Sequence, residues 1–98
     1  MNPNKERNRA HQDVNRAVLA EQITTNQLYK ESITLLKADL YTSFGRSKDE
    51  DDDLRKEIWR QFQTVEKFEK HFEKLLTNGR IAQQKLTMLD QAKKLVGL

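Results

Sequence analysis

The segment from Leu54 to Ala82 is the longest amphipathic stretch of this 98-residue chain, and it contains the only tryptophan and three of the four phenylalanines. Taken at 100° per residue, its apolar residues fall on one stripe, while lysine and glutamate occupy the opposite side. The stripe consists of Ile58, Phe62, Val65, Phe68, Phe72, Leu75 and Leu76. The pattern therefore predicts a long helix whose packing face contacts another part of the chain, a second copy or a different protein.

Composition favours a single all-α domain over residues 1–98. The chain has only one proline and three glycines, and Lys, Glu, Gln, Leu and Ala are good helix formers. With 36% hydrophobic residues, a second core would be too small to offset the conformational entropy lost on ordering it. We expect three to four helices, with a long central helix and a C-terminal antiparallel helical hairpin.

The first half of the chain predicts two helices. Residues 1–23 form a first helix with a thin apolar stripe, which we expect to fray or to be ordered by a partner. Thr24 followed by Gln27 makes a capping box, so a second helix is expected over 24–44, ended by Gly45. One continuous helix through residue 43 is the alternative, because no glycine or proline forces a break.

The second half predicts two further helices. The acidic linker provides a possible capping box and carboxylates that favour a helix N-terminus, so a third helix is expected over 48–77. The Asn78-Gly79 pair can supply the positive backbone dihedral that stops a helix. A fourth helix is then expected over 80–96, closed by Gly97 and folded back on the third as a hairpin.

The sequence contains no pattern that predicts a metal site, a cofactor site or a catalytic centre. Aspartates 49, 51 and 53 match the first, third and fifth positions of a calcium-binding EF-hand loop, but Leu54 stands at position 6, where that loop needs glycine, and Arg60 at position 12, where it needs glutamate. His11 and His71 have no ligand or triad partner at a recognised spacing. We therefore expect no enzymatic activity and no cofactor.

The charge distribution limits the nucleic-acid hypothesis without removing it. The net charge is +3, divided as +2 over residues 1–46, −4 over 47–53 and +5 over 54–98. The basic residues of the last segment are interrupted by glutamates, and no helix-turn-helix pattern is present. A nucleic-acid-associated packaging or regulatory protein remains an alternative, as does a small inhibitor of a host protein whose acidic linker mimics nucleic-acid charge.

No apolar stretch reaches the roughly 20 residues that span a bilayer, and the N-terminus lacks the apolar core of a signal peptide, so an intracellular, soluble protein without a membrane partner is expected.

Trp59 stands about 100° off the main stripe of the long amphipathic segment, which makes it the apolar residue of that segment most suited to contact a partner. The predicted partner-binding residues are Trp59, Tyr29, Tyr41, Asp51, Asp52, Asp53, Arg55 and Arg60. The expected partner is a second copy or a larger protein.

Three segments of the chain resemble small uncharacterised proteins of tailed bacteriophages. The matching segments are NQLYKESITLL, DDDLRKEIWRQF and TNGRIAQQKL, within residues 26–86. The resemblance implies a structural or virion-assembly component. Such a protein is made in the cytoplasm of the bacterial host and can be incorporated into a virion. It implies no catalytic residues.

Overall fold

A computed structural model of the chain describes residues 3–97, with side chains from residue 4 onward. The described residues form three α-helices and no strand: α1 (Pro3–Thr24), α2 (Gln27–Arg46) and α3 (Asp52–Leu95). The predicted all-α class is confirmed, and so is the presence of one long helix, since α3 alone has 44 residues. The helix count is three.

The turn between α1 and α2 lies at Thr25 and Asn26, which confirms the predicted break near residue 24. The capping residue is Asn26 rather than Thr24, because the side-chain oxygen of Asn26 accepts a hydrogen bond from the backbone N–H of Tyr29 at 3.1 Å. Thr24 instead ends α1. The second helix therefore starts at Gln27, not at residue 24.

α2 ends at Arg46 instead of stopping before Gly45, which lies inside the helix. The backbone N–H of Ser47 donates to the carbonyls of Ser43 and Phe44 and so satisfies the helix end without a left-handed residue. Among the described glycines, only Gly97 has a positive φ, at 74°, just beyond the end of α3. Of the glycines predicted to end a helix, only Gly97 does so.

The linker between α2 and α3 forms a turn before the helix begins. The backbone N–H of Lys48 donates to the carboxylate of Asp51 at 3.1 Å, and the N–H of Asp51 donates to the Lys48 carbonyl at 2.9 Å. This turn occupies residues that the sequence assigned to the third helix, so α3 begins at Asp52 rather than at residue 48. Asp52 and Asp53 lie in its first turn, where carboxylates stabilise the positive end of the helix dipole.

The predicted break at Asn78-Gly79 is wrong, because α3 continues through both residues to Leu95. A separate helix over 80–96 and the C-terminal hairpin are therefore absent from the described chain. A glycine inside a helix costs only about 1 kcal/mol relative to alanine, which packing can offset. Gly79 is buried, and a Cβ built on it would overlap the Cβ of Ala17 in α1. The glycine thus serves close packing between helices instead of a turn.

The contacts of the chain divide between two compact units, and each unit contains part of α3. The single domain that composition favours stays a prediction. Unit 1 contains residues 3–23 and 72–97, and it packs α1 on the second half of α3. Its buried cluster consists of Ala10, Ala82 and Leu86, with Val14 packed against it. The thin alanine stripe of the first helix is thus a packing surface that lets two helix backbones approach each other.

Unit 2 contains residues 24–71 and packs α2 on the first half of α3. Its buried residues are Leu40 from α2 and Ile58 from α3. The rings of Tyr29 and Phe68 lie 6.5 Å apart, and Lys37 forms an ion pair with Glu69. Each unit is therefore one layer of two helices, which leaves the outer faces of both helices without a covering element.

Candidate interaction surface

Unit 2 contains an apolar pocket between the end of α2 and the start of α3, with a volume of about 220 Å³. Its lining is entirely hydrophobic and aromatic: Leu40, Tyr41, Phe44, Ile58, Trp59 and Phe62. Small-molecule and peptide sites usually combine an apolar lining with a few polar groups that fix orientation. A pocket without polar lining fits an apolar side chain better than a polar substrate.

The mouth of this pocket is aromatic and open to solvent. The side chain of Tyr41 is 78% exposed and that of Trp59 is 57% exposed, whereas Leu40 and Ile58 are buried. The rings of Trp59 and Phe62 are parallel within 2°, with centroids 6.2 Å apart. Phe62 therefore holds the Trp59 ring in place, so that a large apolar surface is presented in one orientation.

The positively charged side chain of Arg55 packs against one edge of the pocket. The guanidinium of Arg55 lies over the ring of Phe44, 4.4 Å from its centroid, and also pairs with Asp49 at 3.1 Å. Stacking of this kind contributes about 0.5–1 kcal/mol at exposed sites. Arg55 thus ties the acidic linker to the wall of the pocket.

The structure brings together three of the eight residues predicted to bind a partner: Trp59 and Tyr41 at the mouth, and Arg55 at the edge. Arg60 is exposed and lies 3.8 Å from Glu57. Tyr29 is half-buried and packs on Phe68, away from the pocket lining.

The three aspartates of the predicted set lie around the start of α3. Asp51 is half-buried and closes the linker turn through its hydrogen bond with Lys48. Asp52 and Asp53 are exposed in the first helical turn. None of the three lines the pocket.

Of the other four pocket residues, Ile58 and Phe62 belong to the apolar stripe predicted for the long helix, and Leu40 and Phe44 come from α2. Leu40 and Ile58 are buried and act as packing residues within the unit. Phe44 and Phe62 combine both roles, because each packs inside the unit and also walls the pocket. The sequence does contain a signal that places Phe62 beside Trp59. Phe62 lies three residues after Trp59, and residues at this spacing are neighbours on a helix surface.

A polar cluster lies farther along unit 2. The hydrogen bond to Glu69 raises the pKa of Lys37 above its ordinary value, and the charge of Glu66 acts in the same direction. Partial burial raises the pKa of the Tyr29 phenol; the Glu69 carboxylate adds to the shift and Lys37 opposes it. Both side chains of the Lys37–Glu69 pair are about one-third exposed. This cluster therefore joins α2 to α3 within the unit.

Within residues 3–97, no three histidine or acidic side chains converge as a metal site would require. His11 and His71 are both exposed. In the same range, no helix has both the length and the apolar character needed to cross a membrane.

Unit 1 also carries exposed apolar residues. Ile81, Met88 and Leu95 are spaced seven residues apart on α3, so they share one stripe, and all three are exposed. The shallow cavity between α1 and α3 in this unit is lined mainly by polar residues and measures about 160 Å³. Among the described residues, unit 1 therefore has an exposed apolar stripe on α3, and unit 2 has the aromatic pocket.

Comparisons with protein-family models, with curated proteins and with solved structures find no match to this chain.

Proposed function

We propose that this chain is a non-enzymatic structural or assembly protein that acts by helix-mediated oligomerisation or by docking on a larger protein. The observation that carries this proposal is the aromatic pocket of unit 2, whose mouth residues Trp59 and Tyr41 remain largely exposed. Exposed aromatic residues around an apolar pocket are typical of interface hot spots.

The packing within each unit supports the same proposal. Only six hydrophobic residues of the described chain are buried, and three of them are alanines, whereas fifteen large hydrophobic residues are exposed. Single exposed apolar residues are normal on a soluble protein, but contiguous ones mark contact surfaces. A two-helix layer gains the missing burial when another helical layer covers it.

The resemblance to tailed-bacteriophage proteins supports the biological setting of the proposal. A protein of this class is made in the bacterial cytoplasm, associates with itself or with a phage or host protein, and can become part of a virion. Its role depends on surface complementarity and needs no cofactor.

The test is the mass of the full chain measured by multi-angle light scattering between about 1 and 100 μM. Self-association raises the mass above the monomer value of 11.6 kDa. Trp59→Ala should lower the associated fraction, whereas Leu28→Ala, which shortens an exposed leucine outside the pocket, should not.

If the wild-type chain stays monomeric, the docking form of the proposal is tested with immobilised chain and a lysate of phage-infected bacteria. Retention of a protein by wild-type chain but not by Trp59→Ala supports docking. A monomeric chain that retains nothing specific to Trp59 contradicts the proposed function.

A further inference from the structure

Six residues of α3 form a second stripe that includes Trp59 and runs beside the pocket. They are Asp52, Lys56, Trp59, Gln63, Glu66 and Lys70. Their spacing alternates between four and three residues, which is the spacing of a helix seam that contacts another helix. Five of them are exposed and Glu66 is half-buried, so unit 2 leaves most of this seam open to solvent.

The charges along the seam are arranged symmetrically with opposite sign. From Asp52 to Lys70 the order is acid, base, Trp, Gln, acid, base. Charged residues at equal distances from position 61, the midpoint, therefore have opposite signs. An antiparallel copy of the same seam therefore places Asp52 opposite Lys70 and Lys56 opposite Glu66. Each of these pairs occurs twice, because a two-fold axis repeats every contact.

Other arrangements lose this complementarity. In a parallel pair in register, each charge faces its own copy, which repels. An antiparallel shift of seven residues places Asp52 opposite Gln63 and removes the acid–base pairs. The seam thus favours one orientation and one register, as charges beside a helix interface commonly do.

Asp52, Lys56 and Lys70 are exposed and make no ion pair within unit 2, and Glu66 makes none either, although its charge acts on Lys37. Ion pairs within unit 2 join Lys37 to Glu69, Arg55 to Asp49 and Arg60 to Glu57. None of them uses Asp52, Lys56, Glu66 or Lys70. Asp52 and Lys56, and likewise Glu66 and Lys70, are four residues apart on the helix, yet neither couple forms an ion pair in this structure.

The pocket lies at the centre of the same arrangement. Its three α3 residues, Ile58, Trp59 and Phe62, are within three positions of Gln61. A two-fold axis between the two helices, level with position 61, therefore brings the pockets of the two copies to the same level, beside each other along the seam. In this register Trp59 of each copy lies opposite Gln63 of the other, next to the second pocket, while the charged pairs lie at the two ends of the seam.

We infer that the seam and pocket of unit 2 bind a second copy of this chain in an antiparallel, two-fold symmetric dimer, in which Asp52 pairs with Lys70 and Lys56 with Glu66 across the interface. This inference rests on the proposed function and names its partner. The area around Trp59 and Tyr41 supplies the apolar contact, and the charges set the register.

The experiment uses charge-reversed full-length chains. The acidic variant carries Lys56→Glu and Lys70→Glu, so its seam has four negative charges, and the basic variant carries Asp52→Lys and Glu66→Lys, so its seam has four positive ones. Each variant alone should dimerise at least about tenfold more weakly than wild type, because like charges face each other. An equimolar mixture should restore the dimer, since every opposed pair then has opposite signs.

Two further chains separate register from net charge. The chain that combines the substitutions of the acidic and basic variants has the net charge of wild type, and every charge of its seam has the opposite sign. Opposed residues still have opposite charges, so this chain should dimerise nearly as well as wild type. The control Glu31→Lys with Asp39→Lys alters charge by the same amount as the basic variant, at exposed positions of α2 outside the pocket, and should leave dimerisation unchanged. Circular dichroism confirms that each chain is folded.

The readouts are mass from sedimentation velocity and the emission maximum of Trp59, the only tryptophan of the chain. Burial of Trp59 in the dimer shifts its emission to shorter wavelength with the same concentration midpoint as the mass. A wild-type dimer that both charge variants form equally well, or that leaves the emission unchanged, overturns this inference and leaves the proposed function standing. A monomeric wild-type chain also overturns it, and the lysate experiment then decides the proposed function.

Discussion

Gly79 sets the distance between α1 and α3 in unit 1. A Cβ at this position would overlap the Cβ of Ala17 and lie 3.2 Å from the carbonyl oxygen of Asp13, so both the neighbouring side chain and the neighbouring backbone are in contact. The backbone of α1 cannot yield without moving the helix. Small residues on both helices are therefore necessary for this packing.

Gly79→Ala should destabilise the protein by about 1–3 kcal/mol, because the added methyl group overpacks the contact with α1. Gly45→Ala is the matched control: it also lies inside a helix, and a Cβ there meets nothing within 4 Å. This control should be neutral or stabilise by up to about 1 kcal/mol, since alanine restricts the unfolded chain. Urea unfolding followed by circular dichroism measures both, and equal effects would contradict the packing role of Gly79.

Stability should fall at alkaline pH through Tyr29 and Lys37. Both groups have a folded-state pKa above the ordinary value of 10.0 for tyrosine and 10.5 for lysine. The unfolded chain therefore releases these protons first as the pH rises, which favours unfolding above about pH 10. The contribution of the Lys37–Glu69 pair is below about 1 kcal/mol, because solvent screens a pair that is one-third exposed.

Thermal unfolding between pH 8 and 11 tests this expectation. Tyr29→Phe and Glu69→Gln should each reduce the loss of stability between these pH values. Tyr41→Phe removes a hydroxyl from an exposed ring and serves as the control. A pH dependence that Tyr29→Phe and Glu69→Gln leave unchanged would show that other groups cause it.

At the scale of helices, the start of α2 depends on Asn26. Asn26→Ala should cost about 1 kcal/mol, because the backbone N–H of Tyr29 loses its acceptor. Asn26→Asp retains a side-chain acceptor and should remain close to wild type. Chemical denaturation compares the two variants, and an equal loss in both would indicate that the side-chain oxygen does not cap the helix.

The helix boundaries show what one sequence can predict. Helical class and the break after α1 followed from periodicity and from the cluster of cap-forming residues near Thr24. Thr24 and Asn26 both have side chains that can cap a helix N-terminus. Which of them does so depends on the residue at which the backbone leaves helical geometry, and the sequence does not mark that residue. At Asn78-Gly79, the local signal for a turn competed with contacts to Ala17, which lies more than 60 residues away in sequence and carries no local mark.

The candidate site was only partly predictable, because it too depends on contacts between residues that are distant in sequence. Trp59 stood out because it lies off the apolar stripe of its own helix, and the structure places it at the mouth of the pocket. Its neighbours Tyr41 and Phe44 come from α2, so their contact with it depends on how α2 packs against α3. The helical periodicity of one segment cannot supply that alignment.

At the scale of the whole molecule, one long helix serves two separate packing layers. Each layer buries a different set of residues: Ala10, Ala82 and Leu86 in unit 1, and Leu40 and Ile58 in unit 2. Their contacts are made within each unit, so the loss of one core residue acts first on its own layer. Local unfolding of such units is expected to have its own free energy.

Leu86→Ala should therefore increase amide hydrogen exchange in α1 and in the second half of α3, whereas Ile58→Ala should increase it in α2 and in the first half of α3. Both changes remove a buried side chain, and each is expected to cost about 2–5 kcal/mol within its unit. Mass spectrometry of proteolytic peptides after exchange resolves the two regions, and wild type gives the reference. If either variant raised exchange equally in all four segments, α3 would couple the two units into one cooperative structure, because a continuous helix can transmit the loss of packing along its length.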